Sequence, residues 1–248
     1  LCDFHSSRLL YSMSIYAIIP TRDTENLTHT TKDLLEFFEK CSIQAVLVKG
    51  GDSIFETYET EFNKLELKDT DVCIFCHDDI HILDTPSAFV WNLKTAFMGE
   101  DVGFVGAAGT KYLGETAIWW DMELWKMGMH SGRVKHIDPE GKTYITDYGP
   151  PMNVAVLDGL FLAATANTIR DVGLSKPDWL TGAWDFYDIY YTSKALMQGK
   201  VNKVMKVDIL HRSRGELVGR MSWHENRQAF INNVKLPLIS EDKVVEEV

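Results

Sequence analysis

The apolar positions of the chain change period repeatedly, and that alternation predicts its elements. Residues 14–20 form a short apolar run closed by proline and followed by the polar Thr21-Arg22-Asp23, the pattern of a strand and its exit loop. Over 33–41, Leu34, Leu35, Phe37 and Phe38 recur at helical spacing, and 43–48 returns to a β-branched run ended by Gly50-Gly51. Ile54, Tyr58, Phe62 and Leu65 predict a second helix over 53–67, followed by a third strand over 71–76. A helix over 86–98 then leads to a fourth strand at 102–107. Strands alternating with helices imply an α/β chain with right-handed crossovers, a mostly parallel central sheet and helices on both faces. Ligands gather at the carboxyl ends of such strands, where Thr21-Arg22, Gly50 to Asp52 and His77 to Asp79 all fall.

Beyond residue 109 the pattern weakens. Trp119, Trp120 and Trp125 precede a segment, 135–148, that reads as a hairpin or a loop. Regular signals resume at 154–164, with a helix over 184–197 and a strand over 203–210. The charged residues 241–248 form a tail. A strand signal begins just after Met13, so residues 1–12 are expected to be an extension upstream of the natural start. That leaves one domain over 13–240.

At 248 residues, 45% of them hydrophobic and 25% charged, the chain is of globular composition and large enough for one sizeable core. Its formal net charge of -11 argues against binding to nucleic acid or anionic lipid, which demand clustered Lys and Arg. A bound divalent cation can still bring phosphate to such a chain, which makes acidic clusters informative. Cys2, Cys41, Cys73 and Cys76 include one CxxC spacing, but it lies in an apolar strand whose residues three apart face opposite sides. Reduced core cysteines, no secretory signal and no membrane-length apolar run together predict a cytoplasmic protein.

His77-Asp78-Asp79 follows a buried strand, and two carboxylates plus an imidazole suit a hard divalent ion, Mg2+ or Mn2+, with open positions for diphosphate oxygens. The same residues also suit a solvated acidic turn or a helix N-cap. His211 stands beyond the last strong strand, placed to complete a metal shell, and Arg212 or Arg214 to hold a phosphate. Asp185 and Asp188 lie three apart at a predicted helix start, on one face. A carboxylate there can deprotonate an attacking hydroxyl, or simply complement the helix dipole. Asp158-Gly159 ends a strand where backbone can approach a ligand or merely turn. Trp119-Trp120 offers flat apolar faces for stacking or for the core.

In order, these features are His77-Asp78-Asp79 after a strand, the run from Val102 to Gly109, Trp119-Trp120, Leu157-Asp158-Gly159, Phe186-Tyr187-Asp188 and His211-x-Ser213-x-Gly215. The series resembles the streptomycin-biosynthesis StrF-type domain of family 2-like glycosyltransferases, over about residues 15–215. That resemblance implies a GT-A fold, a variant metal motif with Asp79 at its metal-binding end, and His77 in place of the first Asp. It implies that Asp78 faces the donor ribose or diphosphate, that Asp188 is the catalytic base, with Asp185 in reserve, and that His211 is a late metal ligand. The chain departs from the family at Thr57-Tyr58-Glu59, where relatives show Ala-Tyr-Asn, and at Tyr190, where they carry an acid. Those departures predict a different donor or acceptor preference.

The expected function is metal-dependent, inverting transfer of a sugar from a UDP- or GDP-sugar to a hydroxyl, with Thr21, Arg22, Asp52, Asp78, Asp158 and Arg212 around the nucleotide sugar. Two alternatives stand beside it. One is a nucleotidyltransferase making an activated sugar, disfavoured by the lack of a glycine-rich phosphate loop near the first strand. The other is a non-catalytic nucleotide-sugar or carbohydrate-binding protein.

Overall fold

The computed structural model describes residues 13–99, 101–138, 140–212 and 220–240. The predicted extension and tail, together with Ser213, Arg214 and Gly215, lie outside the described residues.

The first half follows the predicted alternation: β1 (Ile15–Thr21), α1 (His29–Lys40), β2 (Gln44–Lys49), α2 (Ile54–Lys64), β3 (Val72–Cys76), β4 (Ile80–Ile82), α3 (Pro86–Ala96) and β5 (Val102–Gly106). Helix α1 begins earlier than the apolar spacing suggests because Thr28 caps it, its hydroxyl accepting from the Thr31 amide. Thr85 caps α3 in the same way, with Pro86 opening the helix.

The second half is built of shorter pieces. β6 (Ala108–Thr110), β7 (Tyr112–Leu113) and α4 (Met122–Lys126) lead to β8 (His130–Ile137) and β9 (Thr143–Gly149). The last two pair antiparallel, so the hairpin reading of that segment holds. The run at 154–164 is three strands, β10 (Asn153–Val154), β11 (Val156–Leu157) and β12 (Phe161–Thr165). There follow α5 (Ala166–Val172), α6 (Tyr187–Met197), β13 (Val201–Val204), β14 (Ile209–His211), α7 (Met221–Asn233) and β15 (Leu238–Ile239). The expected single strand over 203–210 is therefore two strands, β13 and β14, in different sheets.

The main sheet has seven strands in the order β10-β13-β5-β12-β3-β1-β2. β2, β1 and β3 are mutually parallel, as are β5 and β13. β12 runs antiparallel between β3 and β5, and β10 antiparallel to β13, so the sheet is mixed while β1, β2, β3, β5 and β13 share one direction.

Both faces are covered. Tyr58 of α2 packs on Phe75 at 4.7 Å, and Phe55 meets Tyr191 of α6 edge-on at 5.4 Å. On the other face Phe89 of α3 meets Phe37 of α1 at 5.5 Å and Phe161 at 5.9 Å. Strand alternation puts Cys73 on the face of Phe75 and Cys76 on the opposite one. Both are fully buried, and burial pushes both thiols well above the ordinary range.

A second, six-stranded sheet joins β11, β6, β8, β14 and β4 in that order, with β9 beside β8. It grows out of the first, because the chain passes from β3 to β4, β5 to β6, β10 to β11 and β13 to β14 within a few residues. The junction between the sheets opens a cleft. Among the described residues no helix is long and apolar enough to cross a membrane.

Candidate active site

His77-Asp78-Asp79 occupies the crossing from β3 to β4, and both sheets hold it. The His77 amide donates to the Leu160 carbonyl at 3.1 Å, prolonging the β3–β12 ladder. The Arg212 amide donates to the Asp79 carbonyl at 2.9 Å, prolonging the β4–β14 ladder, and Thr31 of α1 donates its hydroxyl to the Asp78 carbonyl at 3.2 Å. β14 pairs antiparallel with β4 in a register that sets His211 opposite Ile80, so His211 arrives beside Asp79. Parallel pairing with β8 sets His136 opposite His211.

The result is a compact donor set. Asp79 Oδ1 lies 3.4 Å from His211 Nε2 and 3.9 Å from His77 Nδ1. One ligand atom from each of His77, Asp79 and His211 falls within 4.8 Å of the others. Asp79 Oδ1 is buried yet makes no hydrogen bond of acceptable geometry, a costly condition that a cation would relieve. These residues therefore fit a metal ion. Burial opposes ionisation of Asp79, but the adjacent His211 and His77 outweigh it and hold the carboxyl below its usual range. Burial likewise opposes charge on His211, yet Asp79 and Asp158 raise its pKa. For His77 burial prevails over Asp79, His211 adds to it, and the pKa falls.

Asp188 sits in the first turn of α6, its Oδ2 accepting from the Gly159 amide at 2.9 Å. Burial first, and the Asp158 charge second, raise its pKa to about 7. The Gly159 carbonyl accepts from Tyr187 Oη at 2.9 Å, and Tyr187 Oη lies 3.0 Å from His77 Nε2. Thus Gly159 joins the candidate base to a candidate metal ligand. A Cβ at position 159 would stand 2.3 Å from Tyr187 Oη and 3.0 Å from Asp188 Cβ. The close approach that glycine permits here is to those two side chains.

A cleft of about 890 Å³ gathers Thr21, Arg22, His77, Asp78, Asp79, Asp158, Asp185, Asp188 and His211 among its walls. Three residues are placed apart from the expected arrangement. Asp52 is exposed and not in the cleft wall, because the chain turns outward between Gly50 and Ile54, which do line it. Arg212 also lies outside the wall, its Nε donating to His81 Nε2 at 3.0 Å, since residues next to each other on β14 and its extension face opposite ways. Asp185 does not share a helical face with Asp188: Phe186 adopts a left-handed φ of 68° and the helix begins at Tyr187. Asp185 is instead buried, accepting from Ser222 Oγ at 2.7 Å and facing Arg220 at 3.3 Å.

Several wall residues carried no sequence signal for this role: His136, Tyr148, Arg220 and Trp223 come from the irregular half. Trp184, 42% exposed, lies so close over Gly50 that a Cβ there would be 2.6 Å from its ring. Trp119 and Trp120 both line the cleft, Trp119 buried and Trp120 packed against Trp223 at 5.5 Å. The family departures Glu59 and Tyr190 are not in the wall: Glu59 accepts from Ser175, and Tyr190 packs on Trp179 and Phe55.

An α/β sheet whose strand ends open on such a cleft, with one donor set for a cation and one carboxylate poised near neutrality, has the build of a group-transfer enzyme. The chain belongs to the Glycosyltransferase like family, whose model matches residues 18–233. No curated protein matches it. Among solved structures it is similar to GalNAc-T7 with UDP, GalNAc and Mn2+, at 8% identity and a TM-score of 0.48, covering 82% of this chain and 44% of that one. This chain thus spans less than half of that protein's length. It is also similar to the inositol-1-phosphate CTP transferase from T. maritima, at 9% identity and a TM-score of 0.38, covering 90% of this chain and 98% of that one.

Proposed function

We propose that the protein is a GT-A, StrF-type glycosyltransferase that moves a sugar from a nucleoside-diphosphate donor to a hydroxyl acceptor with inversion. The observation that carries this reading is the orphaned Asp79 Oδ1, set between His77 Nδ1 and His211 Nε2 in the same cleft as Asp188. Two imidazoles and one carboxylate favour Mn2+ over Mg2+, because imidazole suits transition ions and Mg2+ prefers oxygen. When bound, the ion offsets the negative charge that develops on the leaving diphosphate.

The rest falls to the chain's own residues. Thr21, Arg22 and Asp78 hold the nucleotide at the ends of β1 and β3, and Arg22 and Arg220 bring positive charge into the cleft of an acidic protein. Asp188 takes the proton of the acceptor hydroxyl as its oxygen bonds to the anomeric carbon. The bond from that carbon to the diphosphate oxygen breaks, and the nucleoside diphosphate leaves. A single displacement assisted by one base inverts the anomeric centre. Nucleoside diphosphate release across a panel of UDP- and GDP-sugars with Mn2+ tests the proposal. Manganese-dependent release that Asp79→Ala abolishes supports it, whereas donor binding without release under every acceptor tried favours the non-catalytic binding protein.

A further inference from the structure

The proposed metal site requires His77 to present one particular ring nitrogen, and the surroundings of that ring select which. Tyr187 is the first residue of α6, and its ring is fixed by Phe55 at 6.4 Å, Tyr58 at 5.8 Å and Tyr191 at 6.2 Å. Its hydroxyl carries a single proton. That proton goes to the Gly159 carbonyl at 2.9 Å, which only accepts. The hydroxyl oxygen, near which the buried Tyr58 hydroxyl also lies, is then left as an acceptor 3.0 Å from His77 Nε2, which favours the proton on Nε2. The opposite tautomer fails on both sides of the ring. A proton on Nδ1 would face Asp79 Oδ1 at 3.9 Å, beyond hydrogen-bond reach. Nε2 would then compete with Gly159 for the one hydroxyl proton and leave a carbonyl or an imidazole nitrogen unsatisfied.

We infer that Tyr187 is a positioning residue that locks His77 in the Nε2–H tautomer, turning the Nδ1 lone pair toward Asp79 and His211. The inference rests on the metal-site reading above. Residues that orient a ligand in this way typically change metal affinity 10- to 100-fold when removed. The same hydroxyl also ties His77 to Gly159, whose amide holds Asp188. Tyr187 thereby sets the ligand and the base to a common reference.

The test has two readouts. Long-range ¹H–¹⁵N spectra of the metal-free protein report the His77 tautomer directly, with Nδ1 unprotonated expected in the wild type and lost or mixed in Tyr187→Phe. Manganese titration is then expected to show affinity weakened about 10- to 100-fold in Tyr187→Phe. Tyr191→Phe is the matched control: it deletes another buried hydroxyl on α6, one that donates to the Leu174 carbonyl at 2.7 Å. It should leave both readouts unchanged, which separates positioning from general loosening of the helix. A wild-type Nδ1–H tautomer, or a tautomer and affinity unaltered in Tyr187→Phe, overturns the inference. Failure of the wild type to bind manganese while His77 keeps the Nε2–H form overturns the metal reading and leaves the tautomer assignment standing.

Discussion

Asp188 illustrates how much of the proposed chemistry turns on single groups. Its pKa of about 7, set by burial and then by Asp158, places it where a general base works best, and the base form is the deprotonated one. Transfer is therefore expected to rise with pH through about 7 and level off above it; a profile flat across that range contradicts the assignment. Asp188→Asn should keep manganese and donor binding and lose at least about 100-fold in transfer rate. The same shift bears on stability. Because the folded-state pKa is raised above the ordinary 3.8, the native protein holds the proton more tightly, and stability falls as pH climbs from that value through about 7. Denaturation midpoints of Asp188→Asn should accordingly improve relative to wild type across that window. Asp185 behaves differently, since both its oxygens are engaged by Ser222 and Arg220. Asp185→Asn should transfer sugar near the wild-type rate while losing about 1–3 kcal/mol of stability; if it abolishes transfer and Asp188→Asn does not, the two roles are reversed.

At the scale of elements, α7 pins the segment that carries Trp184 and Asp185. Asn226, fully buried on α7, accepts from the Thr181 and Gly182 amides at 3.0 and 2.7 Å and donates to the Gly182 and Asp185 carbonyls. Asn226→Ala strands those buried backbone groups and is expected to cost at least about 2 kcal/mol by chemical denaturation. Asn226→Asp, which keeps the acceptor but sets a buried carboxylate oxygen against the Gly182 and Asp185 carbonyls, should cost at least as much; an Asn226→Ala variant as stable as wild type refutes this role. The elements also differ in how plainly the sequence announces them. β1, β2 and β3 are legible because strands in a sheet covered on both faces are continuous apolar runs. β10, β11, β6 and β14 are only two or three residues long and change sheets, so neither a period of 2 nor one of 3.6 accumulates. The start of α6 is misplaced from sequence because Phe186 continues the apolar spacing while its φ of 68° breaks the helix. His77, Asp79 and His211 are legible as strand-end residues, whereas His136 and Arg220 enter the cleft only through pairing and packing between distant segments.

The whole molecule carries a net charge of -11, and Arg22 and Arg220 line the same cleft as His77, Asp79 and His211, the residues proposed to hold the cation. Arg22→Ala should weaken donor affinity about 10-fold, the scale of one charge-assisted contact. Asp52→Ala and Arg212→Ala, outside the cleft wall, should leave it within about 2-fold by calorimetry. Equal losses in all three variants would mean that the nucleotide lies elsewhere. All of this depends on a cation at the junction of the two sheets. The most direct test is a manganese titration followed by the electron paramagnetic resonance of the free ion, in wild type, Asp79→Ala and His211→Ala. One ion bound by the wild type and affinity at least about 10-fold weaker in each variant is the predicted result; unchanged affinity in both variants would contradict the account.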